Sequence, residues 1–320
     1  MPVPVQSQTW PADRALLLVH GIGNAKPGDY PDLVQAVRSA LGSEADGVAI
    51  YQLFYDQVND WFAGKNNLGA LFAQALDVVS DKIEDDELGP TLADVLGDVL
   101  WPVLVADARA AVRTLYLQQL RQIVQDGVAA GVPAANQRLS IICHSLGCFH
   151  TYETLHRAAV TPSDMLQPGA HGVKFENVIY MASPVQLIRT VAQTLGPLVP
   201  NSKTLYTGRD EALSIPSQRK TLGGVVPSVK RWISITGALD PVGGHFFRSK
   251  APWAYMDVPG TTEAIVDQQS PLNISTKAQL ISTLQASLRD HEAPVIRPEN
   301  PHSWTAYVDR NAAKLKGWLT

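Results

Sequence analysis

The chain has little with which to staple or anchor itself. Two cysteines among 320 residues cannot brace a fold of this size or build a cysteine-based zinc site. Positive charge is not in surplus either. Lysine plus arginine is 26 against 30 acids, a net charge of -4, which argues against nucleic-acid binding because phosphate neutralisation needs a basic excess. Long apolar runs are missing. No window reaches the roughly 18 uninterrupted apolar residues of a membrane span, and the nearest, Leu92 to Ala106, is broken by Asp94, Asp98 and Pro102. The start, Met1-Pro2-Val3-Pro4-Val5-Gln6, lacks a basic stretch followed by an apolar core, so no secretory signal is visible and a cytoplasmic location is expected. There is no internal repeat and no low-complexity tract. What is present is 45% hydrophobic and 18% charged residues, enough for a sizeable core and too apolar for a disordered chain.

Five short apolar runs read as buried strands: Ala15–His20, Val48–Tyr55, Leu139–Cys143, Asn177–Ala182 and Trp232–Thr236. None alternates cleanly between apolar and polar, which suits strands covered on both faces, as in a parallel sheet. Ala254–Val258 is a weaker sixth. Helical stretches lie between them. Asp32–Leu41 follows a Pro31 start signal, Ala108–Val128 carries apolar residues at three- and four-residue spacings, and Ser145–Ala159 follows the third strand directly. Such alternation predicts a doubly wound α/β sheet within a single domain spanning residues 1–320.

One segment exceeds a minimal α/β chain. Residues 57–107 insert roughly fifty residues where a short connection is usual. Leu68, Leu71, Phe72, Ala75, Val79 and Ile83 mark one amphipathic helix. Leu92, Val95, Leu96, Val99 and Leu100 mark another, ended or kinked by Pro102. Either they pack on the scaffold as an ordinary insertion, or they cap a site and offer it an apolar wall. A second excursion, 186–230, is rich in proline and glycine and is a candidate pocket rim. The acids Asp81, Glu84, Asp85, Asp86 and Glu87 lack calcium-loop spacing and read as a solvated turn.

The most informative stretch is Cys143-His144-Ser145-Leu146-Gly147. A serine in a sharp turn between a buried strand and a helix holds its hydroxyl clear of the sheet. The amide of the next residue, Leu146, then points from a helix N-terminus toward a developing oxyanion. The turn is cramped and needs small residues two places either side of the serine; Gly147 meets that demand fully and Cys143 approximately. The plainer alternative is an N-cap serine. His20-Gly21-Ile22-Gly23 ends the first strand, where glycines let a backbone amide near Ile22 turn inward as a second oxyanion donor. Alone it reads equally as a βα turn. Cys143 and Cys148 flank the serine too closely for an unstrained bridge and read as buried thiols.

With LLLVHGIG at Leu16–Gly23 and CHSLG at Cys143–Gly147, the chain resembles the α/β-hydrolase superfamily, serine esterase and lipase type. The resemblance implies the α/β-hydrolase fold, mostly parallel and lacking the family's first two strands, with 57–107 as a helical cap insertion. It also implies a Ser-His-Asp triad whose acid and base follow the serine in chain order. Asp240, in Leu239-Asp240-Pro241-Val242 after the fifth strand, takes the acid's place, with Asp257 in reserve. Of the later histidines, His245 lies too near the acid and His291 in a charged helix end. His302, on a loop entering the last helix, takes the base's place.

The implied activity is cleavage of carboxylic esters, small or lipid-like, through an acyl-enzyme, with no metal or organic cofactor and no protein partner specified. Acyl transfer, or cleavage of a thioester or amide, would use the same triad, and a non-catalytic binding protein on the same scaffold is the remaining alternative.

Overall fold

The computed structural model describes residues 5–21, 31–55, 58, 106–160, 174–184, 228–237, 262–267 and 303–320. Their elements, in chain order, are β1 (Arg14–Val19), α1 (Pro31–Leu41), β2 (Val48–Leu53), α2 (Ala106–Ala129), β3 (Arg138–His144), α3 (Leu146–Val160), β4 (Lys174–Met181), β5 (Ser228–Gly237), β6 (Thr262–Asp267), α4 (Trp304–Arg310) and α5 (Ala312–Leu319). The six strands form one sheet in the order β2-β1-β3-β4-β5-β6, and every pairing is parallel.

Burial on both faces explains why the strand sequences do not alternate. Successive side chains of a strand point to opposite faces. In β1, Leu17 and Val19 join a core with Tyr116, Leu120 and Ile123 of α2 and Phe149, Tyr152 and Leu155 of α3. Leu16 and Leu18 join a second core with Leu33, Val37 and Leu41 of α1, Trp304, Tyr307 and Val308 of α4, and Leu315 and Trp318 of α5. Each face is an apolar layer, so polar residues are few in the central strands, and those buried there find partners, as Asn177 Nδ2 does in donating to Ser140 Oγ at 3.0 Å. α1 begins at Pro31, where the missing N–H would be unpaired anyway, and turns Leu33, Val37 and Leu41 inward at helical spacing.

Five of the six expected strands are present within a few residues of the expected limits. The sixth differs. The edge position is held by Thr262–Asp267, paired along its length to β5 from Trp232↔Thr262 to Gly237↔Asp267, whereas Ala254–Val258 lies outside the described residues. Edge strands need one fewer apolar neighbour, so Thr-Glu-Ala-Ile-Val-Asp carries less of the signal that marks a central strand. The insertion at 57–107, apart from Val58 and the first residues of α2, and the excursion at 186–230 up to the start of β5 also lie outside the described residues.

The C-terminal helix is tied to the amino edge of the sheet. Asn177 Nδ2 and Arg231 Nη2 both donate to the Trp318 carbonyl, at 2.7 and 2.8 Å, occupying an acceptor that the end of a helix leaves open. Among the described residues no helix is long and apolar enough to cross a membrane.

Candidate active site at the carboxyl edge of the sheet

β1 and β3 are neighbours, but their following helices go to opposite faces: α1 to one core, α3 to the other. This is the topological switch point of the sheet, where the carboxyl ends of strands open a crevice. Gly21 and Ser145 stand there, just beyond the last β1–β3 register pair, Val19↔Cys143.

Ser145 has φ 51, in the left-handed region that costs a side-chain-bearing residue about 1 kcal/mol. The turn is held from both sides. The Ser145 N–H donates to the Met181 carbonyl of β4 at 3.0 Å, and Cys148 N–H donates to the Ser145 carbonyl at 2.9 Å. α3 starts at Leu146, whose amide belongs to the first turn and so has no intrahelical acceptor. The Ser145 side chain is buried, and among the described residues its Oγ has no hydrogen-bond partner.

The two flanking small residues are now explained. A Cβ on Gly147 would run into the backbone carbonyl oxygens of Val19 and His20, so α3 approaches β1 this closely only with glycine there. Cys143 fits because its side chain points into the core, where the thiol donates to the Ile179 carbonyl at 3.3 Å. Both cysteines are free and buried, and burial pushes the Cys143 thiol well up. A Cβ on Gly21 would lie 2.8 Å from Ser145 Cβ and 3.3 Å from Ser145 Oγ, so the HG turn is laid directly against the serine.

An all-parallel sheet in this order, with a left-handed serine between a central strand and its helix, decides the architecture. The fold is that of the α/β-hydrolases. Counted on that fold, the six strands correspond to its third to eighth, and the first two have no counterpart among the described residues.

Comparison with known proteins adds little to this. No family model matches the chain, and no curated protein matches it. Among solved structures it is similar to esterase PE8, at 14% identity over 90% of this chain and 96% of that one, with a TM-score of 0.38. A hydrolase from Oleispira antarctica has 12% identity, coverage of 81% and 84%, and a TM-score of 0.30. A proline iminopeptidase from Mycobacterium smegmatis has 11% identity, coverage of 88% and 91%, and a TM-score of 0.30. At these scores the fold rests on strand order and the turn at Ser145, not on the likenesses.

Of the expected site residues, the structure describes Ser145 and Leu146 and brings Gly21 against Ser145. Ile22, Asp240 and His302 lie outside the described residues. The chain immediately around two of these is visible. β5 ends at Gly237, three residues before Asp240, at the same edge of the sheet as Ser145. Ser303 follows His302 and leads into α4, whose Trp304 ring stacks on His144 at 5.4 Å, with Tyr307 edge-on at 6.2 Å. The reserve acid Asp257 also lies outside the described residues, and the carboxylate that ends β6 is Asp267.

Beneath the HG turn is a buried polar group that the sequence did not announce. Tyr55 stacks flat on His20 at 4.5 Å and meets His150 edge-on at 4.7 Å. Burial lowers His20 from 6.5 to about 4, against the bond to the Gly21 carbonyl, which raises it. Burial, together with the nearby His20 and Arg109, lowers His150 to about 3. Both rings are neutral at pH 7, which excludes them as acids at that pH. Tyr55 closes an apolar run and His150 sits in a helix, so neither carries a local signal of this role.

Proposed function

We propose that the protein is a serine hydrolase of carboxylic esters. The observation that carries this reading is Ser145 itself: a strained turn, pinned to β4, holds a serine hydroxyl with no partner among the described residues against a glycine turn. A serine serving only as an N-cap adopts extended backbone and spends its oxygen on an amide of the first turn, and Ser145 does neither.

In this reading Ser145 Oγ attacks the ester carbonyl carbon while His302 takes its proton. The Oγ–carbon bond forms, the negative charge moves to the carbonyl oxygen, and the amides of Ile22 and Leu146 receive it. Collapse breaks the bond to the alkoxide, which leaves with the proton from His302. Water then repeats the sequence on the acyl-enzyme. Asp240 holds the imidazole tautomer and balances its charge. The stack of Trp304 on His144 supports His302 as base, since it fastens the start of α4 beside the neighbour of Ser145. The end of β5 at the same edge supports Asp240. Residues 57–107 leave β2 at that edge too and are proposed as the cap that faces the acyl chain, with 186–230 as the opposite rim.

The test is a series of p-nitrophenyl esters of rising chain length, run with wild type and Ser145→Ala, beside labelling with a fluorophosphonate. Wild type should turn over esters and take the label at Ser145; Ser145→Ala should lose both and keep its thermal midpoint. Undiminished turnover in that variant, or an adduct mapped to another residue, would falsify the assignment.

A further inference from the structure

The β1 ladder ends at Val19, which pairs with Leu53 on one side and Cys143 on the other. The carbonyls of His20 and Gly21 therefore lie beyond sheet hydrogen bonding, in a buried place where an unpaired carbonyl is costly. Tyr55 supplies what the ladder does not. Its hydroxyl is 2.9 Å from the His20 oxygen and 2.6 Å from the Gly21 oxygen, and it approaches both as donor. His20 Nδ1 is 2.6 Å from the same Gly21 oxygen. A carbonyl only accepts, so this fixes the His20 tautomer with the proton on Nδ1.

The Gly21 carbonyl is thus gripped by two donors, the Tyr55 hydroxyl and His20 Nδ1–H. A peptide is planar and trans, so the N–H that follows a C=O lies in the same plane and points the opposite way. Whatever fixes the direction of the Gly21 carbonyl fixes the direction of the Ile22 amide. The grip is itself stiff. The Tyr55 ring is fully buried, with His20 against one side and His150 at its edge, and Phe149 backs His150 at 5.6 Å.

We propose that Tyr55 is a positioning residue for this site: its hydroxyl, with His20 Nδ1–H, clamps the Gly21 carbonyl and so aims the Ile22 amide at the oxyanion. This rests on the esterase reading above. A phenylalanine at this position would fill the same space and keep the stack, but the peptide plane would lose one of its two restraints. Because the amide meets a full negative charge only after attack, its misalignment weakens the transition state more than the bound ester.

The experiment compares Tyr55→Phe with wild type on a p-nitrophenyl ester and on inhibition by an alkyl boronic acid, whose serine adduct is tetrahedral and anionic. Tyr55→Phe should lower kcat by about ten- to a hundredfold and leave KM within about twofold. Boronate affinity should fall in step with kcat. Should Tyr55→Phe fail to fold, the His20 pair decides. His20→Asn keeps an N–H near the Gly21 oxygen and should retain most of kcat, and His20→Leu should lose as much as expected for Tyr55→Phe. Unchanged kcat and boronate affinity in Tyr55→Phe, or equal activity in the two His20 variants, would overturn the clamp. If Ser145 is still labelled in wild type, only the clamp falls. If wild type neither turns over esters nor takes the label, the clamp and the reading beneath it fall together.

Discussion

Two glycines near Ser145 meet different obstacles, and the difference predicts different phenotypes. Gly147 faces backbone: a methyl there collides with the carbonyl oxygens of Val19 and His20, and no rotamer change can relieve it. Gly147→Ala should push α3 off β1 and cost about 3 kcal/mol of stability, read as a lower urea midpoint at an unchanged m-value. Gly21 faces the serine side chain instead. Gly21→Ala should therefore abolish turnover with a smaller loss of stability, because the methyl invades the space that Ser145 Oγ and the substrate use. Wild-type turnover in folded Gly21→Ala would place the reaction elsewhere. At this scale the sequence is legible where the demand is local: a serine flanked by small residues is a statement about one turn. It is silent on Tyr55, since an aromatic residue ending an apolar run says nothing of the carbonyls it will meet.

The elements were legible in proportion to their burial. Central strands between two apolar layers left short apolar runs, whereas β6, paired among the described residues to β5 alone, left a weaker one. The helix that closes the chain matters beyond its length. α4 has only seven residues, yet its Trp304, Tyr307 and Val308 are buried in the second core, and Trp304 lies on His144. Trp304→Ala should cost about 3–5 kcal/mol, as large-to-small changes of buried aromatic residues do. It should also slow fluorophosphonate labelling of Ser145 more than Trp304→Phe does, because the phenyl ring keeps the stack that holds the residues after His302. Equal labelling rates in the two variants would separate α4 from the site.

As a whole, the molecule should be sensitive to mild acid. His20 and His150 are buried neutral, with values lowered from 6.5 to about 4 and to about 3. When unfolded they take protons near pH 6.5; when folded they do not until well below. The unfolded state therefore binds more protons in between, so stability falls as the pH drops from about 6.5 toward 4, by up to about 1.4 kcal/mol per pH unit for each proton. Asp126 adds a lower window. Burial raises its value, but bonds from Gln8 N–H, Gln122, Tyr51 and Ser7 outweigh that and hold it below the ordinary 3.8, so its contribution disappears as pH falls through that range. Urea midpoints measured from pH 7 to 4.5 should decline steadily, and His150→Phe should flatten the slope. A slope unchanged in that variant would mean His150 is not buried neutral.

The sequence by itself determined the alternation of strands and helices, the parallel sheet and the turn at Ser145. Each of these is set by neighbours in the chain, through apolar run length, helix-start signals and the space a tight turn allows. Only the tertiary structure decided the strand order, the apposition of Gly21 to Ser145, the donors on the Gly21 carbonyl and the stack of Trp304 on His144. Apart from His20, which is adjacent to Gly21, these join residues that are tens to more than a hundred positions apart, and their pairing depends on which face of the sheet each helix covers. The N-terminal segment shows the same division. Gln6, Ser7 and Gln8 have no apolar pattern to place them, yet they are fixed by hydrogen bonds to Gln119, Asp126 and the Ile50 carbonyl. A hydrogen bond between distant residues leaves no periodicity in the chain that forms it.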